Sequence, residues 1–133
     1  MSVFTAAEIA FLQSQTLGHM ATIDADGELH VVPCSFRYNP EHDSIDLGGR
    51  GFGRSRKFRD VARYGRAAFV VDDHPTPGVL HGLEVRGPAA ALPEGGPAIR
   101  AGFDPQIVRI TPTRIASWGL DTGSYEPRSR TVR

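Results

Sequence analysis

Apolar and polar residues alternate along most of this chain with the two-residue period of half-buried strands. LGHMATI (17–23), LHVVPCSFRY (29–38) and SIDLGG (44–49) follow the pattern, and RAAFVVDD (66–73) reads as a buried strand. In VLHGLEVRGPAAAL (79–92), Leu83, Val85, Ala89 and Ala91 alternate with polar or small residues. QIVRITPTRIASWGL (106–120) is a last strand, expected to bend at Pro112. Asp26-Gly27 between two such runs is a strong hairpin signal. Asn39-Pro40 and HPTPG (74–78) mark two further turns.

Helical spacing occurs twice. Thr5 and Glu8 form a capping box, with Phe4 placed to staple onto Ile9. Ile9, Leu12, Ala6 and Gln13 then make a narrow stripe, so the spacing predicts a helix over 6–15. Phe58, Val61 and Ala62 predict a second helix starting near Ser55, with Gly65 as its C-terminal cap. Residues 93–105 read as loop, and the tail, about 122–133, is expected to be loose because it has little to bury. Six strands with short hairpins and two short helices predict a mainly β fold, a small β-barrel or sandwich, as one domain over residues 1–133. No βαβ alternation supports a Rossmann sheet.

Bulk properties narrow the function classes. No apolar run approaches the ~18 residues of a membrane span. The N-terminus lacks the basic and apolar regions of a signal peptide, so the cytoplasm is the expected address. One cysteine, Cys34, offers neither an internal disulfide nor a zinc cluster. Fifteen acids balance fifteen bases, so no global field recruits nucleic acid. The bases are nonetheless uneven: Arg50, Arg54, Arg56, Lys57 and Arg59 crowd together, and Lys57 is the only lysine.

That cluster sits in GGRGFGRSRKFRD (48–60), one residue from a phosphate-binding P-loop, with Arg54 where the lysine belongs. The antiparallel surroundings argue against an ATPase or GTPase. A helix N-terminus carries partial positive charge, so Arg54, Arg56 and Lys57 are misplaced there unless an anion joins them. Backbone N–H groups, the Ser55 hydroxyl and the basic side chains could hold it, with Gly51 and Gly53 allowing close approach. A solvated basic loop is the competing reading. The five histidines show no metal-ligand spacing, and Asp72 to His74 read as a turn rather than a metal site. No G-x-S-x-G elbow is present. Cys34 reads as wall rather than nucleophile. Phe52 and Phe58 are too few aromatics for nucleic-acid binding.

The order of a capped helix, LGHMATIDADGELHVVPCSFRYNP, IDLGG, SRKFRDVARYGRAAFVVDD, LEVRG and VRITPTRIASWGLD resembles the pyridoxamine 5'-phosphate oxidase-like split β-barrel superfamily. Within it, the chain is most similar to flavin/deazaflavin oxidoreductases that use coenzyme F420, in the dehydrotetracycline-reductase-like branch. The resemblance spans nearly residues 4 to 121, and S-R-K-F-R-D and S-W-G-L-D are its most specific pieces. It implies an FMN-binding-type split barrel and a homodimer with cofactor between the subunits. Ser55, Arg56 and Lys57 would take the cofactor phosphate, with Arg50 and Arg54 as helpers. Pro33, Cys34, Ser35 and Phe36 with Gly48 and Gly49 would line the tricyclic ring, and Trp118 would come from the partner. Two departures stand out: Cys34 replaces an expected aliphatic residue, and the HPTPG connection is short.

The resemblance implies an F420-dependent reductase that moves hydride to an activated C=C or C=N bond of a small organic substrate. The catalytic proton donor is not assigned; Tyr38, His19 and His81 are its candidates. FMN is the alternative cofactor, since it needs only the phosphate site. The longer acidic tail of F420 would draw on Arg50, Arg54 and Arg59. A carrier or sensor that binds cofactor without turnover is the alternative class. No metal, nucleic acid or membrane enters this reading.

Overall fold

The predicted strands close on themselves. In the computed structural model, which describes residues 1–120 and 127–133, helix α1 (Ala6–Ser14) leads into β1 (Leu17–Ile23), β2 (Leu29–Asn39) and β3 (Ser44–Gly48). A single 3-10 turn (Phe52–Arg54) and helix α2 (Arg56–Tyr64) follow, then β4 (Arg66–Asp73) and β5 (His81–Leu92). One-turn helix α3 (Gly96–Ile99), β6 (Ile107–Ile110), β7 (Arg114–Trp118) and β8 (Arg128–Thr131) complete the order. Every pairing is antiparallel, and the order β4-β1-β2-β3-β6-β5 returns to β4 through the β4–β5 pairing. Closure removes the edges of those strands. β7 and β8 extend the sheet outside the barrel.

Strand alternation sets the core. Met20, Leu47, Phe69, Val71, Leu83 and Ile115 face inward and are almost fully buried. Phe36 rests on Phe69 with ring centroids 4.8 Å apart. Beneath them, β3 buries Asp46, which is hydrogen-bonded by Arg109 through two nitrogens and by Asn39 and Ser44. Burial opposes ionisation of this carboxyl, but Arg109 and Asn39 outweigh it and hold its pKa below the ordinary value.

Three expectations need correction. The strand expected over 106–120 divides into β6 and β7 around Pro112, because β5 turns there from one partner to the other. Thr111 and Thr113 donate to the Pro88 and Arg86 carbonyls across Gly87. A Cβ on Gly87 would stand 2.1 Å from the Thr111 carbonyl oxygen, so glycine is required. On α1 the capping box forms, but the buried residues are Glu8, Phe11 and Leu12. Leu12 and, in part, Ile9 of the expected stripe pack on the core, but Glu8 and Phe11 take the place of the exposed Ala6 and Gln13. Phe4 packs edge-on against Tyr38, with centroids 5.5 Å apart.

The third correction concerns the tail. Residues 122–126 lie outside the described residues, as does Asp121 of the S-W-G-L-D motif. Beyond them β8 pairs with β7 from Arg114↔Thr131 to Ser117↔Arg128. The Arg130 guanidinium donates to both oxygens of the buried Glu8 carboxylate, at 2.6 and 2.9 Å, and to the Val3 carbonyl. A polar tail is thus held by a strand ladder and a bidentate ion pair, which apolar burial alone does not reveal.

Candidate functional site

Glycine at Gly48 follows from crowding at the end of β3, whereas a Cβ on Gly49 would meet only the Phe52 ring, at 3.8 Å. Gly48 pairs with Ser35 of β2, and a Cβ on it would come within 2.9 Å of the Ile99 side chain of α3. Gly51 then adopts φ 66°, the left-handed conformation that glycine accepts without strain, and opens the 3-10 turn. Phe52 is buried and anchors the loop, meeting Phe58 edge-on at 6.0 Å.

The loop is tied from a distance by Asp104. Its two carboxylate oxygens accept the N–H groups of Gly51 and Gly53, at 3.0 and 3.4 Å, while its own N–H donates to the Gly49 carbonyl. Asp104 was not among the sequence-predicted residues. A lone acid in a segment read as loop carries no periodic signal, although GFDP could have been read as a turn with a polar anchor. Those two glycine amides are therefore engaged by an internal anion.

The Ser55 hydroxyl is also engaged. It caps α2, accepting from the Phe58 N–H at 3.3 Å and donating to the Phe52 carbonyl at 2.6 Å. What remains for an external anion is the first turn of α2 and the cations beside it. The N–H groups of Arg56 and Lys57 have no intrahelical partner, and no acidic side chain lies in that turn. Arg56 is ion-paired with Asp60, one turn on, and Arg59 donates to the Arg54 carbonyl. Arg50 and Arg54 are exposed and have no acidic partner among the described residues. Lys57 is half-buried, its ammonium 5.1 Å from the centre of the Phe52 ring.

β2 divides the expected ring-lining residues by face. Pro33 and Ser35 point outward, whereas Cys34 and Phe36 are buried in the barrel. On the outer face the last two offer a ligand only their main chain. Burial pushes the Cys34 thiol up to about 11, against the opposing pull of the Lys57 charge. It stays protonated at neutral pH and acts as wall. His19 stands opposite Pro33 in the β1–β2 register and is exposed on the same face. Tyr38, by contrast, is buried and donates to Asp43 at 2.8 Å, and His81 meets the Phe11 ring edge-on. Trp118 lies on β7 against Gly82, and β7 pairs with neither β2 nor β3. Strand pairing therefore does not bring Trp118 to the glycine loop of its own chain.

Among the described residues, no three His, Cys, Asp or Glu side chains gather as metal ligands, and no helix is long and apolar enough to cross a membrane. The Asp72–His74 contact, at 3.7 Å, is exposed at the end of β4.

No family model matches the chain. It is 46% identical over 120 residues to the 5a,11a-dehydrotetracycline/5a,11a-dehydrooxytetracycline reductase of Streptomyces rimosus, covering 89% of this chain and 84% of that protein. Among solved structures, the FAD-binding protein of Mycobacterium smegmatis superposes with a TM-score of 0.64 at 21% identity, covering 99% of this chain and 100% of the other. A candidate pyridoxamine 5'-phosphate oxidase from Corynebacterium glutamicum gives a TM-score of 0.60 at 17% identity, covering 98% and 93%. At those identities the structural likeness is one of fold.

Proposed function

This chain belongs to the pyridoxamine 5'-phosphate oxidase-like split β-barrel superfamily, in its dehydrotetracycline-reductase-like branch, and from that membership we propose that it is a reductase of a small organic substrate. The observation that carries the reading is the 46% identity to a reductase over most of both chains. The proposed cofactor is a phosphate-bearing tricyclic, coenzyme F420 in the first place and FMN as the alternative. When bound, it supplies hydride to an electron-poor C=C or C=N bond.

The residues present fit such a group. Lys57, Arg54 and Arg50 are cations without acidic partners among the described residues, at or just before a helix start that itself favours an anion. In this proposal Lys57 and the first-turn N–H groups hold the phosphate. Ser55 and Arg56 shape that turn through the cap and the Asp60 pair. Arg50 and Arg54 face the part of the cofactor beyond the phosphate, which favours the longer, more acidic F420 over FMN. Pro33, Ser35 and Gly49 form a small-residue floor for the ring, bordered by the main chain of Cys34 and Phe36 and by the buried Gly48, which Ile99 covers. His19, level with Pro33, is the titratable side chain best placed to deliver a proton beside that floor.

A homodimer completes the proposal. Leu17, Leu29 and Val31 stand on the outer face of β1 and β2 at 55%, 81% and 68% exposure, an apolar surface suited to a second copy. Trp118 then reaches the cofactor from the partner. Titration of the purified protein with F420 and with FMN tests the assignment. F420 is expected to bind more tightly and, when reduced, to be consumed in the presence of an acceptor. Tighter FMN binding overturns the F420 assignment, and tight binding without turnover of any acceptor overturns the enzyme. A monomer by sedimentation with cofactor bound overturns the dimer.

A further inference from the structure

A cavity of about 660 Å³ opens on the outer face of the barrel, where the hairpin end of β1 and β2 meets the start of β4 and the turn in β5. Its volume lies within the ~300–1,000 Å³ range of small-molecule sites. It is not the candidate cofactor site. Arg66 follows Gly65, the C-terminal cap of α2, whereas the anion anchor lies at the opposite end of that helix. Nine helical residues separate the two by roughly 14 Å at 1.5 Å per residue.

Three guanidinium groups line this cavity, from Arg66, Arg86 and Arg114, and among the described residues no acid does. Alternation puts all three on the same outward face, since Arg86 is opposite both Ala68 and Arg114. Like charges directly opposite across a strand pair repel. Among the described residues only one acid, Glu84, comes within ion-pair distance of the three. Arg66 has neither a hydrogen bond nor an ion pair among the described residues, and the nearest acid to Arg86 is Glu84, at 3.9 Å. Arg114 is held in place by the hydroxyls of Thr131 and Ser129, each at 2.9 Å, which fix its fork without cancelling its charge. Between the arginines the wall is apolar, with Ala21 and Ala68 as its floor and Leu29 at its rim.

We infer that this cavity is a second binding site, for a flat organic anion whose carboxylate, sulfonate or phosphate sits among Arg66, Arg86 and Arg114 while its apolar body covers Ala21 and Ala68. The guanidinium fork matches such oxyanions with paired hydrogen bonds, and the small alanine side chains leave room for a ring above them.

Naphthalenesulfonate, with uncharged naphthalenesulfonamide as control, tests the site by calorimetric titration of the whole protein. Naphthalenesulfonate should bind once per chain and raise the melting temperature, and the sulfonamide should bind at least about tenfold more weakly. The double variant Arg66→Gln/Arg86→Gln removes two exposed charges whose only acidic neighbour among the described residues is Glu84, at the long distance of 3.9 Å, so it should fold. Its unliganded melting temperature should equal or exceed that of the wild type, and its affinity for naphthalenesulfonate should drop at least about tenfold. Lys57→Ala should leave this binding unchanged. Absence of binding, equal binding of the sulfonamide, undiminished binding by the double variant, or loss of binding in Lys57→Ala each overturns the proposal. The last outcome would place the ligand at the cofactor anchor instead.

Discussion

Two charge-rich regions of this protein are built on opposite plans. At the seam between α1 and β8, Glu8 is buried and Arg130 closes on it with both nitrogens, each oxygen of the acid receiving a donor. At the start of α2, Lys57 rests over the Phe52 ring, and Lys57, Arg54 and Arg50 have no acidic partner among the described residues. In the first region charge holds parts of the chain together. In the second it finds no acid among the described residues, and its contact with the fold is that of Lys57 with Phe52. In the proposed function, these cations and the unpartnered N–H groups beside them take the cofactor phosphate.

Breaking the paired region should have the largest effect. Arg130→Ala strands the Glu8 carboxylate, and loss of one partner from such a pair costs about 3 kcal/mol. The melting temperature should fall by roughly 10 °C, and β8 amides should lose hydrogen-exchange protection first. A change within the error of the melt would show that the seam contributes little.

At the unpaired region the expected effect is on binding and not on the fold. Lys57→Ala should weaken cofactor by roughly ten- to a hundred-fold, from loss of a charge-assisted hydrogen bond of about 1.5–3 kcal/mol. The stability of the free protein should stay nearly constant, because relief of repulsion at the helix end offsets the lost contact with Phe52. Lys57→Glu should bind worse still. Unchanged affinity in Lys57→Ala, measured calorimetrically, would make this a solvated basic loop.

Asp104 joins the two plans, a structural charge placed inside the candidate site. Asp104→Asn keeps one acceptor for the glycine amides and should cost about 1 kcal/mol of stability. Its clearer effect should be on the glycine loop, seen as faster exchange of the Gly51 and Gly53 amides. Equal exchange in both proteins would separate Asp104 from loop placement.

The smallest effect should be a slope. The Asp46 pKa is lowered in the folded protein, with burial outweighed by Arg109 and Asn39. Its contribution is fully present above the unfolded value of about 3.9 and is lost as pH falls through the lower folded value. Melting curves should therefore steepen their decline below about pH 4. Asp46→Asn should flatten that part of the profile while lowering stability at neutral pH.

Much of the barrel was legible because its information is local. A two-residue period places Met20, Leu47, Phe69, Val71, Leu83 and Val85 inside whatever their partners are. Thr5 with Glu8 and Ser55 with Gly65 mark helix ends through contacts within a few residues. By itself the sequence thus determined a β-rich chain, its hairpins, both main helices and a cationic loop at a helix start. The rest depends on residues far apart in the chain. Arg130 reaches Glu8, Asp104 reaches the glycine loop, and Pro112 divides a strand because β5 changes partners at Gly87. Likewise, an arginine in the sequence is simply a cation. Only the tertiary structure decided that Arg109 and Arg130 are neutralised within the fold while Arg66, Arg86 and Lys57 face outward, because pairing depends on which side chains the closed barrel brings within reach.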